Sequence, residues 1–285
     1  MNSLIPVRWN RACAGGQALF LDLPRRRGYL AKEMAATRIL PSPSRFRNRT
    51  KPHPREPAPS PEPSAVPELA LYYDALFRAH GARHWWPGRT RFEVIVGAIL
   101  TQNTSWSNVE RAIAELRRKK LLSAARIERV PLPRLSRLIR SSGYFRQKAC
   151  KLKAFVQFLR KQYHGSLDKL FATPTRLLRE QLLGVHGIGP ETADSILLYA
   201  GNHPVFVVDA YTRRILERHR LANGKESYED LRGLFERSLP LRPSLFNEYH
   251  ALIVHTGKQF CRKRAPACEQ CPLRPFLPVA AEVRP

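Results

Sequence analysis

The stretch that decides the fold is Leu183-Gly184-Val185-His186-Gly187-Ile188-Gly189-Pro190-Glu191-Thr192-Ala193. Helical patterns flank it: residues 175–183 place apolar side chains at helical spacing, and residues 193–200 repeat them with a period near 3.6. Pro190 suits the first turn of the second helix, because the N–H that proline lacks would have no partner there. The sequence therefore predicts two helices joined by a hairpin at Gly187-Ile188-Gly189.

The glycines of this hairpin indicate a binding site for an anion. Glycine allows a positive φ and a close approach of the backbone to a ligand, and the N–H groups that start the next helix point outward. A plain tight turn is the simpler interpretation of the same residues. A dinucleotide-binding loop is disfavoured, since the glycines follow a helix and not a strand.

The charge of the chain favours the anion. Lys and Arg number 49 against 23 Asp and Glu, a net charge of +26, of which residues 1–66 carry +8 and residues 67–285 carry +18. The expected partner is a polyanion. No apolar run reaches the roughly 18 residues that a membrane-spanning helix needs, so we expect a soluble protein with no membrane partner.

Residues 1–66 are expected to form a disordered, basic, proline-rich extension, since prolines recur from Pro41 onward among Ser, Arg and Lys. The extension contains no convincing signal peptide. For a bacterial protein we expect the cytoplasm or the nucleoid. An Arg-rich, acid-poor leader also fits an organelle transit sequence, and Met34 is a second candidate start.

From residue 68 onward the pattern is a succession of short amphipathic helices, which predicts an all-α fold. The predicted helices are 68–80, 91–100, 105–119, 124–129, 131–140, 144–163, 175–183, 190–200, 210–219, 227–238 and 243–257. Only Val205-Phe206-Val207-Val208 resembles a strand, and four residues make no sheet.

Three of the four tryptophans lie close together in the sequence: Trp85 and Trp86 precede Pro87, and Trp106 follows. Pro87 ends any helix there, and adjacent tryptophans cannot both point the same way, so one ring should be available to line a cavity. An aromatic face stacks on a nucleobase or attracts a cation. Core packing is the alternative for any of these rings.

The spacing Cys261-x6-Cys268-x2-Cys271 indicates a metal or cluster more than a disulfide, in a chain with no secretory signal. A tetrahedral site needs four ligands, and only three thiolates are present locally. Cys13 and Cys150 are remote in sequence.

Together, the helix-hairpin-helix, Asp209 placed 20 residues after Gly189, the segment Thr101-Gln102-Asn103-Thr104 and the cysteine run resemble the endonuclease III superfamily of DNA glycosylases. The resemblance covers about residues 68–275. It implies a glycosylase domain over residues 67–285, with one helical lobe at about 91–203, a second built from 67–90 plus 204–260, and a cysteine loop at 261–277. The implied partner of the monomer is double-stranded DNA, whose damaged base is flipped into a pocket between the lobes.

The resemblance also implies which residues contact DNA. The hairpin residues that would grip phosphate are Gly187, Ile188, Gly189 and Thr192. The amides of Gln102 and Asn103 can hydrogen-bond base edges, and Asn103 matches the side chain that superfamily members insert into the duplex.

Asp209 matches the catalytic aspartate of the superfamily. A carboxylate there can stabilise the developing oxocarbenium ion and position or deprotonate the attacking water. Capping the helix that begins at Ala210 is the simpler role, and both can hold. Members that also cut the strand have a lysine two residues after the second hairpin glycine, where this chain has Glu191. A carboxylate cannot form an imine, so Glu191, the second catalytic candidate, indicates hydrolysis without lyase activity.

With Glu191 at that position, the aromatic residues resemble the 3-methyladenine DNA glycosylase branch, in which rings sandwich an alkylated purine. N-alkylation makes the purine positively charged, which attracts it to electron-rich rings and makes it a good leaving group. The implied base pocket comprises Trp85, Trp86, Pro87, Trp106 and Lys258. Lys258 fits a phosphate contact equally well.

The superfamily usually has a fourth cysteine where this chain has Leu277. Three alternatives follow for the cofactor: a 4Fe-4S cluster held by Cys261, Cys268 and Cys271 with an outside ligand, a cluster that borrows one of the remote cysteines, or a loop without a cluster. A bound cluster would be structural, holding the basic residues 262–264 beside DNA phosphates.

The sequence thus predicts a base-excision glycosylase that hydrolyses the N-glycosidic bond of alkylated purines. An endonuclease III-like enzyme for oxidised pyrimidines, with weak lyase activity, is one alternative. A non-catalytic DNA-binding protein is another, which Asp209 disfavours because phosphate binding needs no carboxylate.

Overall fold

The computed structural model describes residues 66–83, 85 and 88–278. Residues 1–65, His84, Trp86, Pro87 and residues 279–285 lie outside the described part. The predictions made for the extension, for its targeting and for Trp86 and Pro87 therefore stay predictions.

Helices dominate the described residues, which contain no strand, and the all-α fold class is confirmed. The helices are α1 Glu68–His80, α2 Arg91–Leu100, α3 Trp106–Arg118, α4 Ala124–Arg129, α5 Leu132–Leu138, α6 Phe145–Tyr163, α7 Leu167–Phe171, α8 Thr175–Leu183, α9 Pro190–Ser195, α10 Ala210–Arg218, α11 Tyr228–Ser238 and α12 Pro243–Gln259. A π-helical turn at Ile196–Ala200 continues α9, and 3-10 turns lie at Arg140–Ser142, Cys268–Gln270 and Arg274–Phe276. None of the described helices has the length and apolar character to cross a membrane.

Two hydrophobic clusters form the cores of two helical lobes. The first cluster draws its buried side chains from residues between 92 and 205, and the second from residues 69–76, 198, 206–208 and 215–273. The chain passes from the first cluster to the second between Val205 and Phe206. Leu198 reaches into the second cluster from within the predicted first lobe, and Tyr199 packs against both clusters.

The structure departs from the predicted helices in three places. The sequence analysis missed α7, which has five residues and is capped by Ser166, whose Oγ accepts from Lys169 N at 3.2 Å. Five residues are too few to show an amphipathic period. The predicted helix 190–200 becomes π-helical after Ser195, and the predicted helix 131–140 ends at Leu138 before a 3-10 turn.

A buried ion pair joins the two helices that flank the hairpin. Arg179 of α8 donates through Nε and Nη2 to the two oxygens of Asp194 of α9, at 2.7 and 3.0 Å. The Asp194 side chain is fully buried and that of Arg179 is 13% exposed. Arg179 also reaches the more exposed Glu229 of α11 at 2.7 Å. This pair fixes the angle at which the helices leave the hairpin.

Replacing Asp194 with alanine should lower the free energy of unfolding by about 3 kcal/mol, because the largely buried Arg179 then loses its main partner. Glu229→Ala removes a more exposed partner of the same guanidinium and should cost less than about 1 kcal/mol. Urea unfolding of the two variants measures the difference. Equal small losses would show that the pair does not anchor the hairpin helices.

Candidate functional site

The hairpin between α8 and α9 is a tight turn in which the two glycines differ. Gly187 has a φ of +80°, and a Cβ there would collide with the Lys151 side chain. Gly189 is extended, with a φ of −94° and a ψ of −179°, so only Gly187 uses the left-handed region that the sequence suggested for both. Ile188 is buried in the first cluster, and its N–H donates to Val185 O at 3.0 Å. A Cβ at Gly189 would meet nothing within 4 Å, so the start of α9 is open beside it.

Gln102 ties this hairpin to the segment after α2. Its Nε2 donates to Gly187 O at 3.2 Å and to Thr192 Oγ1 at 2.8 Å, while its Oε1 accepts from Lys151 Nζ. Thr192 is buried. Three of the predicted DNA-contacting residues therefore lie together, with the Gln102 amide engaged inside the protein. A direct contact of Gln102 with a base stays a prediction.

Asn103 is exposed and has a φ of +52°, in the turn that follows α2. The buried Lys148 of α6 holds that end of α2, since its Nζ donates to Leu100 O at 2.9 Å and to Ser142 O at 2.6 Å. Burial, with the charge of Lys151, lowers the pKa of Lys148 to about 8. Asn103 is thus presented from a fixed helix end, as an inserting side chain requires, and its insertion into DNA stays a prediction.

Asp209 caps α10 with one of its two carboxylate oxygens. Oδ1 accepts from Tyr211 N at 2.9 Å, Thr212 N at 2.8 Å and Thr212 Oγ1 at 3.0 Å. Because Oδ1 already accepts three hydrogen bonds, Oδ2 is the oxygen that remains available for a contact with substrate. The capping role and the catalytic role considered from the sequence can therefore use different oxygens.

Glu191 lies in the first turn of α9, close enough to Asp209 for the two charges to interact. The Glu191 side chain reaches the protein surface, but the protein atoms around its carboxyl group displace part of the water that would hydrate it. This burial, followed by the charge of Asp209, raises the pKa of Glu191 to about 7, while Arg213 acts in the opposite direction. The site thus holds two interacting carboxyl groups, and the pKa of one of them is raised to about 7.

Three residues of the predicted base pocket lie together. The ring centroids of Trp85 and Trp106 are 6.4 Å apart with an interplanar angle of 47°, and Lys258 Nζ is 5.9 Å from the centroid of Trp85. Trp106 is anchored through its indole N–H, which donates to Glu110 Oε1 at 2.8 Å. Trp85 is half-buried, and Lys258 is exposed at the last turn of α12.

The three C-terminal cysteines line one cavity, which Leu277 and His219 share. The pKa of the Cys271 thiol is raised by burial and, to a lesser extent, by the nearness of Cys261 and Cys268. In the described part of the chain, no three His, Cys, Asp or Glu side chains are arranged to hold a metal ion. The basic residues 262–264 that follow the first cysteine are exposed.

These donors do not fit a cluster with four protein ligands. Leu277 has no donor atom, and the His219 ring is already engaged: Nδ1 lies 2.9 Å from the Tyr72 hydroxyl, and the ring also hydrogen-bonds the backbone of Phe276. Cys150 lies on α6, whereas Cys261 and Cys271 pack with the second cluster, and Cys268 lines the same cavity as these two. Cys13 is outside the described residues. Three thiols are thus the cysteine donors that this loop offers, one fewer than the superfamily usually supplies.

A buried histidine and a partly buried tyrosine that the sequence analysis did not single out lie behind Asp209. The Tyr199 hydroxyl is hydrogen-bonded to His250 Nδ1, and His250 Nε2 is 3.8 Å from Asp209 Oδ2. Burial lowers the pKa of His250, and Asp209 offsets part of that change. The only local signal in the sequence was a histidine within the apolar pattern of α12, 41 residues after the aspartate.

A hairpin open at a helix start, paired carboxyl groups and neighbouring aromatic rings on a basic chain define an enzyme of the helix-hairpin-helix class that acts on DNA. The chain belongs to the HhH-GPD superfamily of base excision DNA repair proteins, whose family model matches residues 96–241. The endonuclease III superfamily resemblance is thereby confirmed.

Relatives agree with this assignment. A candidate DNA repair glycosylase of Methanocaldococcus jannaschii is 46% identical over 206 residues, which cover 72% of this chain and 93% of that protein. Endonuclease III of Sulfolobus acidocaldarius is 28% identical over 192 residues, covering 66% of this chain and 83% of that enzyme. The structure of Helicobacter pylori 3-methyladenine DNA glycosylase bound to 1,N6-ethenoadenine is similar with a TM-score of 0.58 and 29% identity, covering 68% of this chain and 97% of that one. The chain is accordingly a DNA repair glycosylase, and its partner is DNA.

Proposed function

We propose that this glycosylase is monofunctional and releases alkylated purines by hydrolysis. The observation that carries the proposal is the carboxyl group of Glu191, which interacts with Asp209 at the start of α9. An amine at this position would attack the sugar and lead to strand cleavage, whereas a carboxyl group cannot form the imine. Base release by water is the chemistry that remains.

Asp209 acts on the sugar in this proposal. Its Oδ1 is held by three donors of α10, which keeps the side chain in one orientation. Its Oδ2 stabilises the positive charge that develops on the sugar as the N-glycosidic bond breaks, and positions the attacking water.

Glu191 supplies the proton for a neutral leaving base. With a pKa of about 7, a large fraction of Glu191 is protonated at neutral pH and can donate to the leaving base. A base that already carries a positive charge from alkylation leaves as a neutral molecule and needs no such proton. Asp209 is therefore needed for both charged and neutral lesions, whereas Glu191 is needed mainly for neutral ones.

The aromatic pair supports a purine as the target. Trp85 and Trp106 present adjoining rings near Tyr199, at the place where the two hydrophobic clusters meet. Stacking on such rings suits the wide π-surface of a purine. The similar Helicobacter pylori enzyme binds 1,N6-ethenoadenine, an alkylated purine. Lysine at position 258, beside Trp85, fits either the pocket rim or a nearby phosphate.

The grip on DNA comes from the basic surface and the hairpin in this proposal. Residues 67–285 carry a net charge of +18, and the open start of α9 offers backbone N–H groups to phosphate. Asn103, exposed at the end of α2, is the residue we propose to enter the duplex in place of the flipped base.

Replacing Trp85 with alanine should slow release of an alkylated purine roughly 10-fold or more, since one base–aromatic stack is worth about 1–3 kcal/mol. Trp85→Phe keeps a ring and should retain most of the rate. Single-turnover excision and the affinity for undamaged duplex are measured for both variants. Equal losses of excision and of nonspecific binding in Trp85→Ala would point to packing and contradict the pocket.

The proton of Glu191 predicts a pH dependence that differs between lesions. Glu191 holds its proton below about pH 7, so release of the neutral 1,N6-ethenoadenine should fall as the pH rises through that value. Glu191→Gln should lose this alkaline limb and, at low pH, release the neutral base roughly 100-fold more slowly than the parent. Release of the cationic 3-methyladenine should lack the limb in both proteins. Identical profiles for the two lesions would rule out Glu191 as the acid.

A further inference from the structure

A line of polar side chains runs from the proposed base pocket to Asp209. The Trp85 side chain interacts with that of Tyr199, the Tyr199 hydroxyl is hydrogen-bonded to His250 Nδ1, and His250 Nε2 lies 3.8 Å from Asp209 Oδ2. These side chains come from three separate parts of the sequence. Their convergence behind one carboxylate oxygen suggests a common purpose.

His250 is buried in a way that is costly for a merely structural residue. It is 5% exposed, and its ring lies against Phe206 and Tyr199. Its Nε2 is buried and has no hydrogen-bond partner among the described residues. An unsatisfied buried nitrogen is unfavourable, and the nearest charge to it is Asp209 Oδ2. A side-chain shift of about 1 Å would bring the two atoms into hydrogen-bond distance.

The charge of Asp209 determines which ring nitrogen of His250 carries the proton. A neutral imidazole has one N–H, and a lone pair on Nε2 would face the carboxylate and be repelled by it. The proton therefore lies on Nε2, and Tyr199 donates its hydroxyl proton to Nδ1. The Trp85 indole N–H can only donate, so the interaction of Trp85 with Tyr199 agrees with this direction.

We propose, on the basis of the function proposed above, that His250 is a positioning residue for Asp209. Its Nε2–H donates to Oδ2, the oxygen that the helix cap leaves available, and holds this oxygen toward the sugar. Tyr199 supports His250 by fixing its tautomer. Asp209 is thus held through both oxygens, one by α10 and the other by α12.

Other titratable groups also face Asp209 and have to be separated from His250. Glu191 and Tyr199 interact with Asp209 from the segment that follows the hairpin, and Arg213 of α10 acts on Glu191. The test is therefore made in the Glu191→Gln background with a duplex containing 3-methyladenine, for which no proton from Glu191 is required. Arginine and tyrosine do not titrate on the acid side of the profile.

Single-turnover base release is measured as a function of pH for three variants in that background. His250→Phe keeps an aromatic ring but lacks the N–H donor. We expect its acid limb, which is the fall in rate at low pH, to move upward by about one pH unit, and its plateau rate to fall roughly 10-fold. His250→Gln retains an N–H donor and should recover most of both changes. Tyr199→Phe keeps His250 but removes the hydroxyl that fixes its tautomer. Its acid limb should also move upward, by less than in His250→Phe.

Thermal unfolding and duplex affinity are measured on the same proteins. An acid limb that stays in place in His250→Phe, or that moves equally in His250→Phe and His250→Gln, overturns the positioning role. Should His250→Phe fail to fold, Tyr199→Phe decides by the same limb. Asp209→Asn separates this test from the test of the proposed function. If Asp209→Asn still releases the base, both the proposed function and the role of His250 are wrong. If Asp209→Asn is inactive and the acid limb does not move in His250→Phe, only the role of His250 is wrong.

Discussion

Asp209→Asn should lower the rate of base release about 10³-fold or more, because the charge that stabilises the developing oxocarbenium ion is lost. Asparagine caps a helix about as well as aspartate, so α10 should keep its start and the protein its fold. Affinity for duplex DNA should stay near that of the parent, since phosphate contacts do not involve this carboxylate. Single-turnover excision and equilibrium binding measure the two effects.

Asp230→Asn provides the matched control for this variant. Asp230 is also a helix-start carboxylate, since it completes the capping box of α11 with Ser227, but it is exposed and unconnected to Glu191. The Asp230→Asn variant should release the damaged base at the rate of the parent protein. If Asp209→Asn also retains most of the rate, the carboxylate acts only as a helix cap and the mechanism proposed above is wrong.

Glu191→Lys should convert the enzyme toward strand cleavage, the second large effect that we expect. A lysine there would stand in the first turn of α9 beside Asp209, where its amine can attack the sugar and form an imine. The same burial that raises the pKa of Glu191 would favour the neutral, nucleophilic amine, although the charge of Asp209 opposes it. Borohydride should then trap a covalent complex of protein and DNA, which the parent should not form.

Glu191→Gln is the control for trapping, because an amide of similar size cannot form the imine under these conditions. The expected order is a trapped complex with lysine and none with glutamate or glutamine. Trapping of the parent protein would show that another amine serves as the nucleophile. Absence of trapping in Glu191→Lys would show that more than this one residue separates base release from strand cutting.

Much of the fold could be predicted from the sequence because its signals are local. Pro190 and the apolar repeat after it locate the second hairpin helix, and the same periodicity locates the long helix α6. The missed helix α7 is shorter than the period that reveals a helix. The π turn after Ser195 and the extended conformation of Gly189 depend on packing between helices, and the local pattern does not report that packing.

The site divides in the same way. The closeness of Asp209 to Glu191 could be expected from the resemblance to the superfamily, and that of Trp85 to Trp106 from the clustering of tryptophans in the sequence. His250 could not be, since its partner Asp209 lies on another helix and only the fold brings them together. The Arg179–Asp194 pair was missed for a related reason: two charges 15 residues apart show their contact only after the hairpin turns the chain.

The most direct test of the function is product analysis with duplexes that contain 3-methyladenine, 1,N6-ethenoadenine or thymine glycol. The function proposed here predicts free alkylated purine, and a DNA strand that stays intact until alkali is added. Release of thymine glycol alone, or strand scission by the parent protein without alkali, would contradict it and favour an endonuclease III-like activity.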